Sequence, residues 1–94
     1  EFVLKFNFQA EGKTEKEREI ELMQNIIETK EKLQNARKNF EYAEDGMIDY
    51  YIYQIKANQS KLDYLIKLAK KKGVILSRDK EVKIRMILQK KLVG

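Results

Sequence analysis

The stretch that decides the fold runs from Met47 to Lys72, MIDYYIYQIKANQSKLDYLIKLAKKK. It contains neither proline nor glycine, and its apolar residues repeat at helical spacing, so it reads as one long helix. At about 100° per residue, Ile48, Ile52, Ile55, Leu62, Ile66 and Ala69 gather on one side. Tyr50, Tyr53, Ala57, Tyr64 and Leu68 gather on nearly the opposite side. One neighbouring helix covers only one of these faces. The tyrosine face must therefore meet a third helix, an N-terminal arm, a second copy or a ligand.

Asp45 stands where it could cap this helix, and Asp49 suits its positive N-terminal end. Lys70, Lys71 and Lys72 suit the negative end, and Gly73 can adopt the left-handed backbone that terminates it. Upstream, Thr14 and Glu17 have the spacing of a capping box, in which hydroxyl and carboxylate each satisfy a helix-end amide. Leu22, Ile26, Thr29, Leu33, Ala36 and Phe40 then recur at steps of three and four, with Met23 and Ile27 widening the stripe. A turn through Tyr42 to Gly46 joins the two helices into an antiparallel hairpin. Ser77 or Asp79 can cap a last, basic helix with apolar contacts at Val82, Met86, Ile87 and Leu88.

Phe2 to Gln9, FVLKFNFQ, alternates apolar and polar residues and reads as a strand or extended arm. Val74, Ile75 and Leu76 are its internal candidates for pairing, since a lone strand leaves its backbone unsatisfied. Glu1 and Phe2 match the dipeptide that a common cloning site encodes. The expected organisation is an all-α protein: an arm at 1–13, then a helical domain at 14–94 with helices over about 14–40, 46–72 and 78–92.

With 94 residues, one core is expected, burying only about 60 to 65% of the unfolded chain's surface. A partner or second copy would then contribute to stability. The chain has no Cys and no His, which removes disulfides, thiolate metal sites and the commonest proton shuttle. The four glycines are isolated, so no phosphate cradle forms, and Ser60 and Ser77 lie outside any nucleophile elbow. Glu41, Glu44, Asp45 and Asp49 form the one notable carboxylate cluster. Their spacing is not that of a calcium loop, and capping and dipole compensation account for them. No cofactor, catalytic residue, metal site or small-molecule substrate is expected. No apolar run is long enough to span a bilayer and no signal peptide is evident, so the location expected is cytoplasmic.

Charge is uneven. Residues 1–66 carry 10 Lys and Arg against 13 Asp and Glu, a net of −3; residues 67–94 carry 10 against 2, a net of +8. Lys67, Lys70, Lys71, Lys72, Arg78, Lys83 and Arg85 are thus candidate phosphate contacts. The structural alternative is that lysines keep an amphipathic helix solvated. The tyrosines admit two readings as well: bases could stack on them beside Lys56 and Lys61, or they pack against another helix with their hydroxyls at the rim.

Phe40 to Gly73, FEYAEDGMIDYYIYQIKANQSKLDYLIKLAKKKG, resembles the YaaL-like family of small uncharacterised proteins from spore-forming and related bacteria. Asp49, Ile52, Tyr53, Lys56, Ala57, Tyr64, Leu65, Ala69, Lys70 and Gly73 carry the likeness. The sequence departs from that pattern at Gly46, where proline is usual, and at Leu62, where an aromatic is common. The resemblance implies no activity or cofactor. Because genes of that family often lie beside ones for DNA recombination and replication, it implies a non-enzymatic accessory role. Two expectations follow. The first is a helical interaction module, self-associating or binding a protein partner through Tyr50, Tyr53, Ala57, Tyr64 and Leu68. The second is a nucleic-acid-binding accessory protein using the basic C-terminal third.

Overall fold

The computed structural model describes residues 12–93, with side chains described as far as Lys90. Among these residues three helices follow in order, α1 (Glu15–Glu41), α2 (Ile48–Lys72) and α3 (Arg78–Val93), with a 3-10 turn over Asp45–Met47. No strand occurs among the described residues; of the arm expected at 1–13, all but Gly12 and Lys13 lies outside them.

The helix ends follow from local chemistry. The Glu17 amide donates to the Thr14 hydroxyl at 3.1 Å, capping α1. The Glu17 carboxylate accepts from that hydroxyl, so this pair departs from the reciprocal capping box expected. At the end of α2, Gly73 takes φ 72°; its amide donates to Lys70 O at 3.2 Å and the Val74 amide to Ala69 O at 2.9 Å, which is a Schellman ending. Ser77 caps α3 by accepting from the Lys80 amide at 3.3 Å.

Asp45 does not cap α2. The chain from Asp45 winds into the 3-10 turn, closed by the Met47 amide on Glu44 O at 2.8 Å, so the cap position falls on Met47, which makes no side-chain cap bond. The helix consequently begins at Ile48 rather than Gly46.

α1 and α2 form the antiparallel hairpin, and its apolar packing is concentrated at the end away from the turn. Leu22, Ile26 and Leu33 of α1 meet Leu62, Leu65 and Ala69 of α2. Thr29 is 1% exposed, and its hydroxyl donates to Asn25 O at 2.7 Å, so no polar group is stranded. Nearer the turn the interface becomes polar. Arg37 donates to Gln59 at 3.1 Å, Gln59 to Asp63 at 3.0 Å, and a cleft is lined by Asn35, Asn39, Gln54 and Asn58. Beside this polar stretch Ile48 and Ile52 are only half-buried and Phe40 is exposed, whereas Ile55 and Ile66, also half-buried, pack against the apolar cluster and Leu65 is buried within it.

Met23 and Ile27 do more than widen the α1 stripe. They face away from the α2 contact and form a second cluster with Ile84 of α3. Val74 and Leu76, instead of pairing as strand, pack against both clusters and wedge α3 onto α1, while Ile75 is exposed. The expected contacts of α3 need correction. Val82, Met86 and Ile87 are exposed and Leu88 half-buried, because the helix is turned to seat Ile84, which is 6% exposed.

Candidate functional site

With α1 on one side of α2 and α3 docked on α1, the tyrosine face is left open. Tyr53 is 72% and Tyr64 is 64% exposed, and Tyr50 and Ala57 are exposed too. Tyr50 is held in place. Its ring meets Tyr51 edge to face at 5.1 Å between centroids, and its hydroxyl accepts from the Gln54 side-chain amide at 2.6 Å. Leu68 does not belong to the open face. It is half-buried and packs against the core cluster shared by α1 and α2, near the base of the hairpin, where Val74 and Leu76 pack against the same cluster.

Sequence reasoning missed part of this surface. Tyr42 is 80% exposed, and Phe40 and Met47 are exposed as well, so apolar side chains continue from α2 around the tip of the hairpin. The signal was present in the turn, where an aromatic and a methionine stand among residues that would otherwise be polar. The same tip carries Glu41, Glu44, Asp45 and Asp49, all exposed. Among the described residues no three potential ligands converge to hold a metal ion.

The opposite end of α2 is basic. Lys67, Lys70, Lys71 and Lys72 are exposed, and Arg78 and Lys83 lie exposed on α3. Lys70, Lys71 and Lys72 fan over about 200° of the helix circumference, so they present no single cationic stripe. Lys83 lines a groove of about 400 Å³ between α1 and α3, together with Ile20, Met23 and Ile84. Arg85 is not available to phosphate in the way expected. Its guanidinium bonds Glu31 of α1 and lies 3.3 Å from Glu81, which is itself 3.8 Å from Lys30. That network pins α3 to α1.

Residues 5–75 match a family described as a protein of unknown function, DUF2508. The chain belongs to DUF2508. The match takes in α1, the turn, α2 and the Schellman ending, and stops before α3. The hairpin and its tyrosine face therefore lie within the part shared with DUF2508, whereas the whole of the basic α3 lies beyond it. No curated protein and no solved structure matches the chain. No helix among the described residues is long and apolar enough to cross a membrane.

Proposed function

We propose that this chain is a non-enzymatic helical interaction module of the cytoplasm that self-associates through the tyrosine face of α2. The observation that carries the reading is the row Tyr50, Tyr53, Ala57 and Tyr64, exposed on the side of α2 away from α1 and uncovered by α3. Tyrosines favour such a role because each buries a large rigid ring while its hydroxyl stays at the wet rim. Leu68, half-buried against the hairpin core, is left out of this contact. Within DUF2508, the likeness of Phe40 to Gly73 to the YaaL-like proteins fits an accessory role without chemistry of its own.

The alternative, a nucleic-acid-binding role, draws on Lys67, Lys70, Lys71, Lys72, Arg78 and Lys83, with Arg85 withdrawn into its ion pairs. Light scattering on a size-exclusion column at about 50 and 300 mM salt, with and without a short DNA duplex, separates the two. A dimer that persists at the higher salt and ignores DNA supports the interaction module. A monomer that co-elutes with DNA only at low salt overturns it.

A further inference from the structure

Along the open face of α2, Tyr50, Tyr53, Ala57, Ser60, Tyr64, Lys67 and Lys71 follow one another at alternating steps of three and four, and every one of them is exposed. That alternation is the spacing of a helix seam that a second helix packs into. The seam is graded: aromatic and flanked by carboxylates at its start, small in its middle, aromatic and then cationic towards its end. Between residues 39 and 55 there are four carboxylates and no Lys or Arg, whereas Lys67, Lys70, Lys71 and Lys72 crowd the other end.

Resting on the self-association proposed above, we infer that the occupant of this face is the α2 helix of a second copy, running antiparallel about a two-fold axis near residues 58 and 59. Reversing the seam about that point sets Tyr53 level with Tyr64 of the partner subunit, twice over. It sets Tyr50 level with Lys67 of the partner subunit, a pairing of aromatic face with cation. Ala57 and Ser60 come together at the axis, where small side chains let two helices approach closely. Asp49 falls beside Lys67 and Lys71 of the partner subunit, and Asp45 falls level with its Lys72. A parallel pair would oppose carboxylates to carboxylates and lysines to lysines, which like-charge repulsion disfavours. The helix dipoles of α2 also oppose each other favourably only in the antiparallel pair. An isologous contact of this kind closes on itself, so the assembly stops at two.

The chain has no cysteine, so single engineered ones report on the geometry directly. In the antiparallel pair the two Ser60 positions stand close together at the axis, whereas the two Asp49 positions are separated by about 29 Å along the helix direction, at 1.5 Å per residue. The experiment treats Ser60→Cys, Asp49→Cys and Lys67→Cys chains with a short bis-maleimide and reads denaturing gels, alongside light scattering of the parent chain. The expected result is covalent dimer from Ser60→Cys alone, none from Asp49→Cys alone, and dimer again when Asp49→Cys and Lys67→Cys chains are mixed. Asp49→Cys cross-linking to itself while the parent chain scatters as a dimer overturns the antiparallel arrangement and leaves the tyrosine interface standing. A parent dimer in which Ser60→Cys does not cross-link overturns both, and so does a monomeric parent.

Discussion

Ile27 of α1, with no exposed surface, packs in one cluster with Ile84 of α3. This contact sends the third helix to the first rather than to the second, and so leaves the tyrosines of α2 uncovered. Truncating Ile84 to Ala removes methyl groups from a cluster that has few members, with a cost of about 2 to 4 kcal/mol by urea denaturation. Val82→Ala, at an exposed position on the same helix, is expected to change stability by less than about 0.5 kcal/mol.

Gly73 sits at φ 72°, and a Cβ there would meet nothing within 4 Å. The cost of Gly73→Ala is therefore backbone strain alone, about 1 kcal/mol, with Gly73→Asn milder because Asn tolerates the left-handed region better. Gly46 also has open space around it and no positive φ. Gly46→Ala is expected to be neutral or stabilising by about 0.5 kcal/mol, through the lower entropy of the unfolded chain. Thermal unfolding of the three variants checks the order.

The two ends that resemble caps in the sequence should behave differently. Thr14→Ala removes the acceptor of the Glu17 amide and should cost about 1 kcal/mol. Asp45→Asn should change stability by less than about 0.5 kcal/mol, because α2 starts at Ile48 and its cap position is Met47. Chemical denaturation of the two variants under identical conditions measures the contrast.

Tyr53→Ala should leave the helical circular dichroism unchanged, since the ring is largely exposed, and weaken the proposed self-association about tenfold or more. Phe40→Ala, at the tip and off the α2 seam, should weaken it less. Sedimentation equilibrium over a range of concentrations reads both.

Raising salt from about 50 to 300 mM should weaken the proposed dimer only modestly, because the charge pairs proposed for it would be screened while its aromatic contacts would not. Asp49→Lys should weaken it further at low salt. Restoring opposite charge by adding Lys67→Asp to the same chain should recover most of the loss, read by light scattering.

The helices themselves were legible in the residues. The three-and-four spacing of Leu22, Ile26, Leu33 and Ala36, the Thr14 cap and the Gly73 stop are local features, and local steric and hydrogen-bonding rules act within a few residues. The two faces of α2 were legible for the same reason, since periodicity along a helix is a property of one segment. Which face is covered, and by what, depends on neighbours far away in the chain. Ile84 and Val82 are two residues apart and equally apolar, yet one is buried and the other exposed. Likewise, nothing near Arg85 in the sequence announces Glu31 of α1 as its partner, and nothing near Leu68 announces that it packs against the core cluster of the hairpin. The sequence alone determined the hairpin and the existence of an unmatched tyrosine face. Only the tertiary structure decided that α3 docks on α1 and leaves that face open, because long-range packing selects among helix faces that local chemistry makes equally available.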